Sequence, residues 1–220
     1  MSSTCDRIPR IGDTVLYFPD GHAELSTSPI DLDSEIPTVG CLIPCKVASI
    51  RSLESSHQLL LCPTNGNQLG SVRSFVKTLT SSDAKKGGMF TVPKSGAESV
   101  FPPLEHYSAG RSNQTIAVHD VHGERWEFTH VYRGNPQRHL LRTGWSKFVE
   151  SRRLVAGDSI VFIRSPGRDR GVFVGIRRGQ MDPVNCEMGR IPAETVVRTI
   201  RMALAREPFE VEWCPKAEDL

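Results

Sequence analysis

The chain runs to 220 residues, 38% hydrophobic and 24% charged, with 27 Lys and Arg against 25 Asp and Glu. That is a globular composition at a length suited to one or two domains, each able to bury a core. No apolar run approaches the roughly 20 residues of a membrane-spanning helix, and residues 1–10 lack the apolar centre of a secretory signal, so a soluble, intracellular protein without a membrane partner is expected. The six cysteines (Cys5, Cys41, Cys45, Cys62, Cys186 and Cys214) are scattered with no C-x-x-C pair, which argues against a disulfide framework and predicts reduced thiols.

Charge is unevenly spread. Residues 74–178 carry 17 Lys and Arg against 9 Asp and Glu, whereas the remainder carries 10 against 16. A basic centre between acidic flanks is the footprint of a polyanion-binding module on a carrier. A solvated surface with chance clustering accounts for the same counts.

In chain order, "IGDTVLYFPDGH" reads as a strand stopped by a turn at Pro19, Asp20 and Gly21. The Ser-, Asp- and Pro-rich stretch 26–40 reads as a surface connection. "CLIPCKVASIRSL" and "HQLLLCPT" predict two strands, with Pro44 suggesting an edge or a bend in the first. From residue 74, "SFVKTLTSSDAKKGGMFTVP" predicts a strand, a loop or helical turn over Ser81–Lys86, a glycine pair and another strand. "AESVFPPL" is a brief helix cut off by Pro102 and Pro103. "NQTIAVHDVHGERWEFTHVYRG" gives two alternating arms joined at His122-Gly123, a hairpin signal. "GWSKFVESRRL" has helical spacing, and "DSIVFIRSPGRDRGVFVGIRR" is a second hairpin around Pro166-Gly167. Many short strands and two short helices point to a small β-barrel or pseudobarrel, with Trp126, Phe128, Tyr132, Trp145 and Phe162 as core aromatics. Last, Pro192 opens a helix whose Val196, Val197, Ile200 and Leu204 form one stripe, followed by the strand "PFEVEW". Any sheet containing that strand is completed by the N-terminal flank, so the basic barrel is an insertion in an α+β carrier.

The sharpest motif is "RGNPQRHLL", residues 133–141. Arginine's planar fork matches the O6 and N7 acceptors of guanine, and each bidentate pair gives roughly 1–3 kcal/mol of discrimination. Gly134 lets the loop bend, and Pro136 stiffens it, which lowers the entropy lost on ordering Arg133 and Arg138. The commoner arrangement for such a loop is a surface hairpin whose arginines pair with local carboxylates. Ser82, Lys85, Lys86 and the Gly87-Gly88 pair supply phosphate donors in a second loop, and Thr143, Ser146 and Lys147 stand at a helix start. "HDVH" with His130 suggests a metal or nuclease site only weakly, because His119 and His122, three apart on a strand, point to opposite faces. Cys41 and Cys45 with His57 read as core packing and not as a zinc cluster. No G-x-S-x-G and no G-x-x-x-x-G-K-[ST] occurs, so no catalytic residue, metal or cofactor is expected.

The stretch from "FVKTLTSSDA" through "GGMFTVP" and "VHDVHGERWEFTHVYRGNPQRHLLRTGWSKFV" to "GVFVGIRR" resembles the plant B3 DNA-binding domain as it occurs in auxin response factors. "VLYFPDGHAE" and "IPCKVASI" resemble the segment ahead of that domain, and "PAETVVRTIRMALAREPFEVEWCPK" the one behind it. The resemblance implies a mostly β, α+β fold: a seven-stranded open pseudobarrel with two short helices over 74–180, inserted in a discontinuous dimerisation domain made of 1–73 and a shortened 181–220. It implies reading of TGTC-type auxin response elements in double-stranded DNA, in the nucleus, with Arg133, Pro136 and Arg138 on bases and Gly87 at a position where other classes carry histidine. Ser82, Lys85, Lys86, Gly88, Thr91, Asn135, Thr143 and Ser146 are then the backbone-contacting set, and Thr195, Val196, Val197 and Ile200 the homodimerisation set, with other transcription regulators as partners. Gly87 and the "VVRTIRMALAREPFEV" segment resemble class C members. Met89 stands where a glycine is usual, Gln137 for a common arginine and Arg142 for a common threonine. The competing readings are a protein-interaction or nucleic-acid scaffold and, for a barrel of this kind, the recognition domain of a nuclease.

Overall fold

A computed structural model describes residues 9–35, 40–53, 56–65, 72–104, 112–164, 171–179 and 191–213. The chain divides into two compact units, one made of Met1–Ser71 with Cys186–Leu220, the other of Val72–Asn185. The first unit opens with strand β1 (Thr14–Tyr17), helices α1 (Pro19–Ala23) and α2 (Leu32–Glu35), and strands β2 (Ile43–Ser52) and β3 (His57–Pro63). The expected turn at Pro19–Gly21 is thus a short helix, with proline at its first position, where the missing N–H costs nothing. The connection over 26–40 is not merely surface: it contains α2, and Leu32 and Ser26 are buried. Nor does Pro44 mark an edge, since β2 pairs with β1 on one side and β3 on the other. The Pro44 carbonyl accepts from the Thr64 N–H at 2.8 Å, and the irregularity in β2 falls between Val47 and Ser49 instead.

The second unit contains β4 (Arg73–Thr78), β5 (Phe90–Val92), α3 (Lys94–Val100), β6 (Ser112–Asp120), β7 (Arg125–Arg133), β8 (Arg138–Leu141), α4 (Trp145–Ser151), β9 (Ser159–Arg164) and β10 (Val172–Arg177). They form a seven-stranded sheet in the order β4-β9-β10-β6-β7-β8-β5. All neighbours are antiparallel except β10 and β6. The sheet forms an open pseudobarrel in which β7 alternates inward apolar with outward polar residues, Trp126 and Phe128 being buried and Arg125 and Glu127 exposed, while Ile160–Ile163 of β9 are buried on both faces. Its core is aromatic: Phe90 lies 4.5 Å from Trp145 between ring centroids, and Phe162 packs on Phe75, Phe90 and Phe101. Helices α3 and α4 contribute Val100, Trp145, Phe148 and Val149 to it. His122 sits in the β6–β7 turn and not on a strand, with its N–H donating to Asp120 Oδ1 at 2.9 Å. Tyr132 is half-buried at the barrel rim. β9 and β10 pair as expected, while the tip at Pro166-Gly167 lies outside the described residues.

The chain then returns to the first unit with α5 (Ala193–Leu204) and β11 (Phe209–Trp213). β11 pairs antiparallel with β3, completing a four-stranded sheet in the order β1-β2-β3-β11. Ser26 bridges Ile191 in parallel, so the two sequence-distant segments are joined by backbone as well. Val196, Thr199, Ile200 and Ala203 form the buried face of α5 and meet Tyr17, Cys45, Val47, Leu59, Leu61 and Phe209. Val196 and Ile200, two of the dimerisation candidates, have no exposed surface and lie on this inner face, whereas Leu204 of the predicted stripe is 37% exposed. Thr195 and Val197 are half-buried beside it. Cys41, Cys45 and Cys62 are free thiols, and burial pushes the Cys45 thiol up to about 11.

Candidate nucleic-acid interface

The β7–β8 hairpin ends in Gly134-Asn135-Pro136-Gln137, with Gly134 at φ +104° and a cis Asn135–Pro136 bond. Arg133 and Arg138 are directly opposite each other as the last pair of the ladder. Like charges in that relation destabilise a sheet, yet both are exposed and neither makes an ion pair among the described residues. The surface-pairing alternative is therefore not what this hairpin adopts. Gly134, Asn135, Pro136 and Gln137 are exposed as well.

Beneath the tip the hairpin is rigid. His139 packs at 4.6 Å from the Tyr132 ring, and stacks on His130 at 5.2 Å with Nε2 of His130 and Nδ1 of His139 3.0 Å apart. Both imidazoles are buried. Burial, helped by the neighbouring His139, holds His130 down at about 4, so the pair is neutral at physiological pH. The arginines thus stand on an aromatic base whose side chains are already ordered.

The second loop, between β4 and β5, is organised by Asp83. Its buried carboxylate accepts from Lys77 Nζ at 2.8 Å, Thr80 N at 2.9 Å, Thr80 Oγ1 at 2.6 Å and Thr91 N at 3.1 Å, while its backbone carbonyl accepts from Trp145 Nε1 at 2.8 Å. One residue thereby ties β4, the loop, β5 and α4 together. Burial raises the Asp83 pKa, but the bonds from Lys77, Thr80 and Thr91 outweigh it and hold the carboxyl below its ordinary value. Ser82 is exposed with its hydroxyl 2.8 Å from that of Thr80. Gly88 is packed so tightly that a Cβ there would meet the Ser82 carbonyl oxygen and, at 2.6 Å, that of Lys85. Gly87, Lys85 and Lys86 are exposed. Lys86 reaches Glu150 of α4 at 3.0 Å, but both side chains are largely in water, so the pair is weak and the ammonium group remains accessible.

Thr143 is exposed and Ser146 half-buried at the start of α4. Their position is fixed from behind, since Thr129 N donates to the Thr143 carbonyl at 3.0 Å and Gly144, with φ +90°, lies so close to the Glu127 carbonyl that no side chain fits. Thr91, half-buried on β5, lies opposite Leu140 of β8.

The register shows how these pieces are disposed. β5 pairs Phe90 with Leu141 and Val92 with His139, so the Asp83 loop and the α4 start meet one end of β8 while the arginine turn occupies the other. Between them β8 runs four residues, about 10 Å from Arg138 to Leu141 at 3.3 Å per step. The two ends are linked by Arg133 Nη2, which contacts Met89 Sδ at 3.7 Å. Asp83 is absent from the residues singled out by sequence, and Met89 stands there only as a departure from glycine, with no role given. The available signal for Asp83 is that it is the one acid in a loop otherwise basic; for Met89 it is the departure from glycine. Arg133, Arg138 and Thr91 thus share one face of the β7–β8–β5 sheet, and the other base- and backbone-contact candidates lie in the loops beside it or at the start of α4. Thr195, Val196, Val197 and Ile200 belong to the other unit and are described with it above. Among the described residues, no group of three or more His, Cys, Asp or Glu side chains is disposed to hold a metal.

Residues 75–180 match the family model described as "B3 DNA binding domain". The chain is 38% identical to auxin response factor 8 of Oryza sativa subsp. japonica over 96% of this chain and 38% of that protein. It is 42% identical to auxin response factor 10 of Arabidopsis thaliana over 83% of this chain and 30% of that protein. Among solved structures it is similar to one described as "Arabidopsis FUS3-DNA complex", at a TM-score of 0.42 and 25% identity, covering 48% of this chain and 97% of that one. The chain spans 38% and 30% of the length of these two curated relatives.

Proposed function

The chain belongs to the auxin response factor family, and on that premise we propose that it is a sequence-specific transcription factor for double-stranded DNA, inserting the Arg133–Arg138 turn into the major groove. The observation that carries this reading is the pair of exposed arginines held in register on a rigid hairpin without carboxylate partners. A ladder that ends on two opposed arginines accepts a repulsion that a partner rich in paired acceptors relieves. The guanine edge offers O6 and N7 in that spacing, while Ser82, Lys85, Lys86, Thr91, Asn135, Thr143 and Ser146, with the Gly87 and Gly88 backbone, supply donors for flanking phosphates. Pro136 shapes the turn against the bases. TGTC-type auxin response elements are the proposed sites and the nucleus the proposed compartment.

Homodimerisation and contacts with other transcription regulators belong to the same proposal, as does likeness to class C. With Val196 and Ile200 in the core, Thr195 and Val197 are the residues of α5 left at the margin of its open side. Two copies on paired half-sites gain avidity through effective concentration.

The test is a titration of wild type, Arg133→Ala and Arg138→Ala against a TGTC duplex and singly substituted duplexes. Each variant is expected to lose about 1–3 kcal/mol on the matched site and to flatten discrimination at one base pair. Affinity should fall with salt at a slope near −0.9 per neutralised phosphate. Unaltered discrimination in both variants overturns the base-reading role. Absence of duplex binding selects the scaffold reading, and magnesium-dependent cleavage by the purified chain selects the nuclease.

A further inference from the structure

Met89 is the residue before β5 and is 39% exposed, one of the few large apolar side chains in water among the described residues. Phe90, next to it, is fully buried against Trp145, so the alternation of the strand directs Met89 to the outer side of the sheet, together with Thr91. Arg133 and Met89 are 44 residues apart in sequence and come from opposite ends of β8. The guanidinium therefore lies back across the outer face of β8, with Nη2 3.7 Å from the thioether sulfur. Arg138, its partner in the ladder, has no comparable hold among the described residues. The two arginines are consequently unequal: one rests on a ledge and the other is open to solvent.

We propose that Met89 is a positioning residue for Arg133, setting the direction of its fork before DNA arrives and thereby the base preference at the position Arg133 reads. The inference rests on the DNA-reading assignment made above. A thioether is polarizable and unbranched, so it supports the arginine stem and guanidinium by packing while accepting only a weak hydrogen bond. Ordering an arginine side chain costs rotamer entropy, and a resting contact removes part of that cost ahead of binding. A glycine at this position offers no such ledge.

The experiment is a double-mutant cycle on the whole chain with Met89→Ala, Arg133→Ala and the combination, read as affinity for a matched duplex and for duplexes substituted at each position, with thermal midpoints alongside. Met89→Ala is expected to reduce discrimination about threefold to tenfold at the base pair read by Arg133, to leave the base pair read by Arg138 unaltered, and to add nothing in the Arg133→Ala background. Met89→Leu, close in volume, should restore most of the loss. If Met89→Ala does not fold, Met89→Gln takes its place in the cycle. Additive losses, equal losses at both base pairs, or no loss while Arg133→Ala still flattens discrimination overturn the role of Met89 and leave the DNA-reading assignment standing. Unaltered discrimination in Arg133→Ala itself overturns both.

Discussion

Acidification should loosen the hairpin that carries the two arginines, and the amount follows from His130. Its ring is 1% exposed and stacked on His139, and burial holds its pKa at about 4 against 6.5 when unfolded. A histidine whose folded value lies below its unfolded value takes up a proton on unfolding. Its contribution to stability is complete above pH 6.5 and is lost as pH falls towards 4. Between pH 7.5 and 5.5 that single group removes about 1.3 kcal/mol from the unfolding free energy, worth about 5 °C in the thermal midpoint of a unit this size. His139, also shifted down by burial, adds to the loss. The assay is urea unfolding followed by the fluorescence of the buried Trp126 and Trp145, at both pH values, for wild type and His130→Gln. Glutamine keeps a partner for Gln114 and His139 without a titrating ring. The variant should lose about 1.3 kcal/mol less than wild type over the same interval. Equal losses in the two proteins would refute the assignment of a neutral, desolvated His130.

Two further predictions concern the loops. Asp83→Asn removes the charge that faces Lys77 and weakens the anchor shared by β4, β5 and α4, at a cost of about 3 kcal/mol in chemical denaturation; because the folded pKa of Asp83 is depressed, wild type should hold the loop's amide-exchange protection down to pH 4 and lose it only below. Gly144→Ala places a Cβ against the Glu127 carbonyl at a left-handed backbone position and should cost about 2–4 kcal/mol, with DNA affinity falling as Thr143 and Ser146 shift; a fully stable variant would mean that the α4 entry is softer than its packing implies.

The sequence disclosed the arginine turn because Gly134 and Pro136 punctuate a basic run between two alternating strands, a purely local signature. It disclosed the pseudobarrel for the same reason, strand by strand. It did not disclose Asp83 as an anchor, since Lys77, Thr80, Thr91 and Trp145 converge on it only after four elements have assembled. Met89 was hidden likewise, its neighbour Arg133 being brought near by the order β5-β8-β7. For α5 the periodicity was readable but its orientation was not: an apolar stripe on a helix is the same whether it faces its own sheet or a partner, and only the pairing of β11 with β3 puts Val196 and Ile200 inside. Pro44 misled because proline's absence from interior strands is a tendency, satisfied here by placing it near the start of β2, where its carbonyl still bonds.

The docking of β11 on β3 has a consequence for how the protein is made. During synthesis β3 leaves the ribosome with one backbone edge unmatched and with Leu59 and Leu61 uncovered, and the strand that closes it follows only after the whole barrel segment has been translated. A chain that first condenses its middle into a barrel replaces a long unfolded tether between β3 and β11 by a folded one, which lowers the entropy cost of closing the outer sheet. Barrel first, outer sheet last is thus the order of assembly that leaves sticky intermediates exposed for the least time.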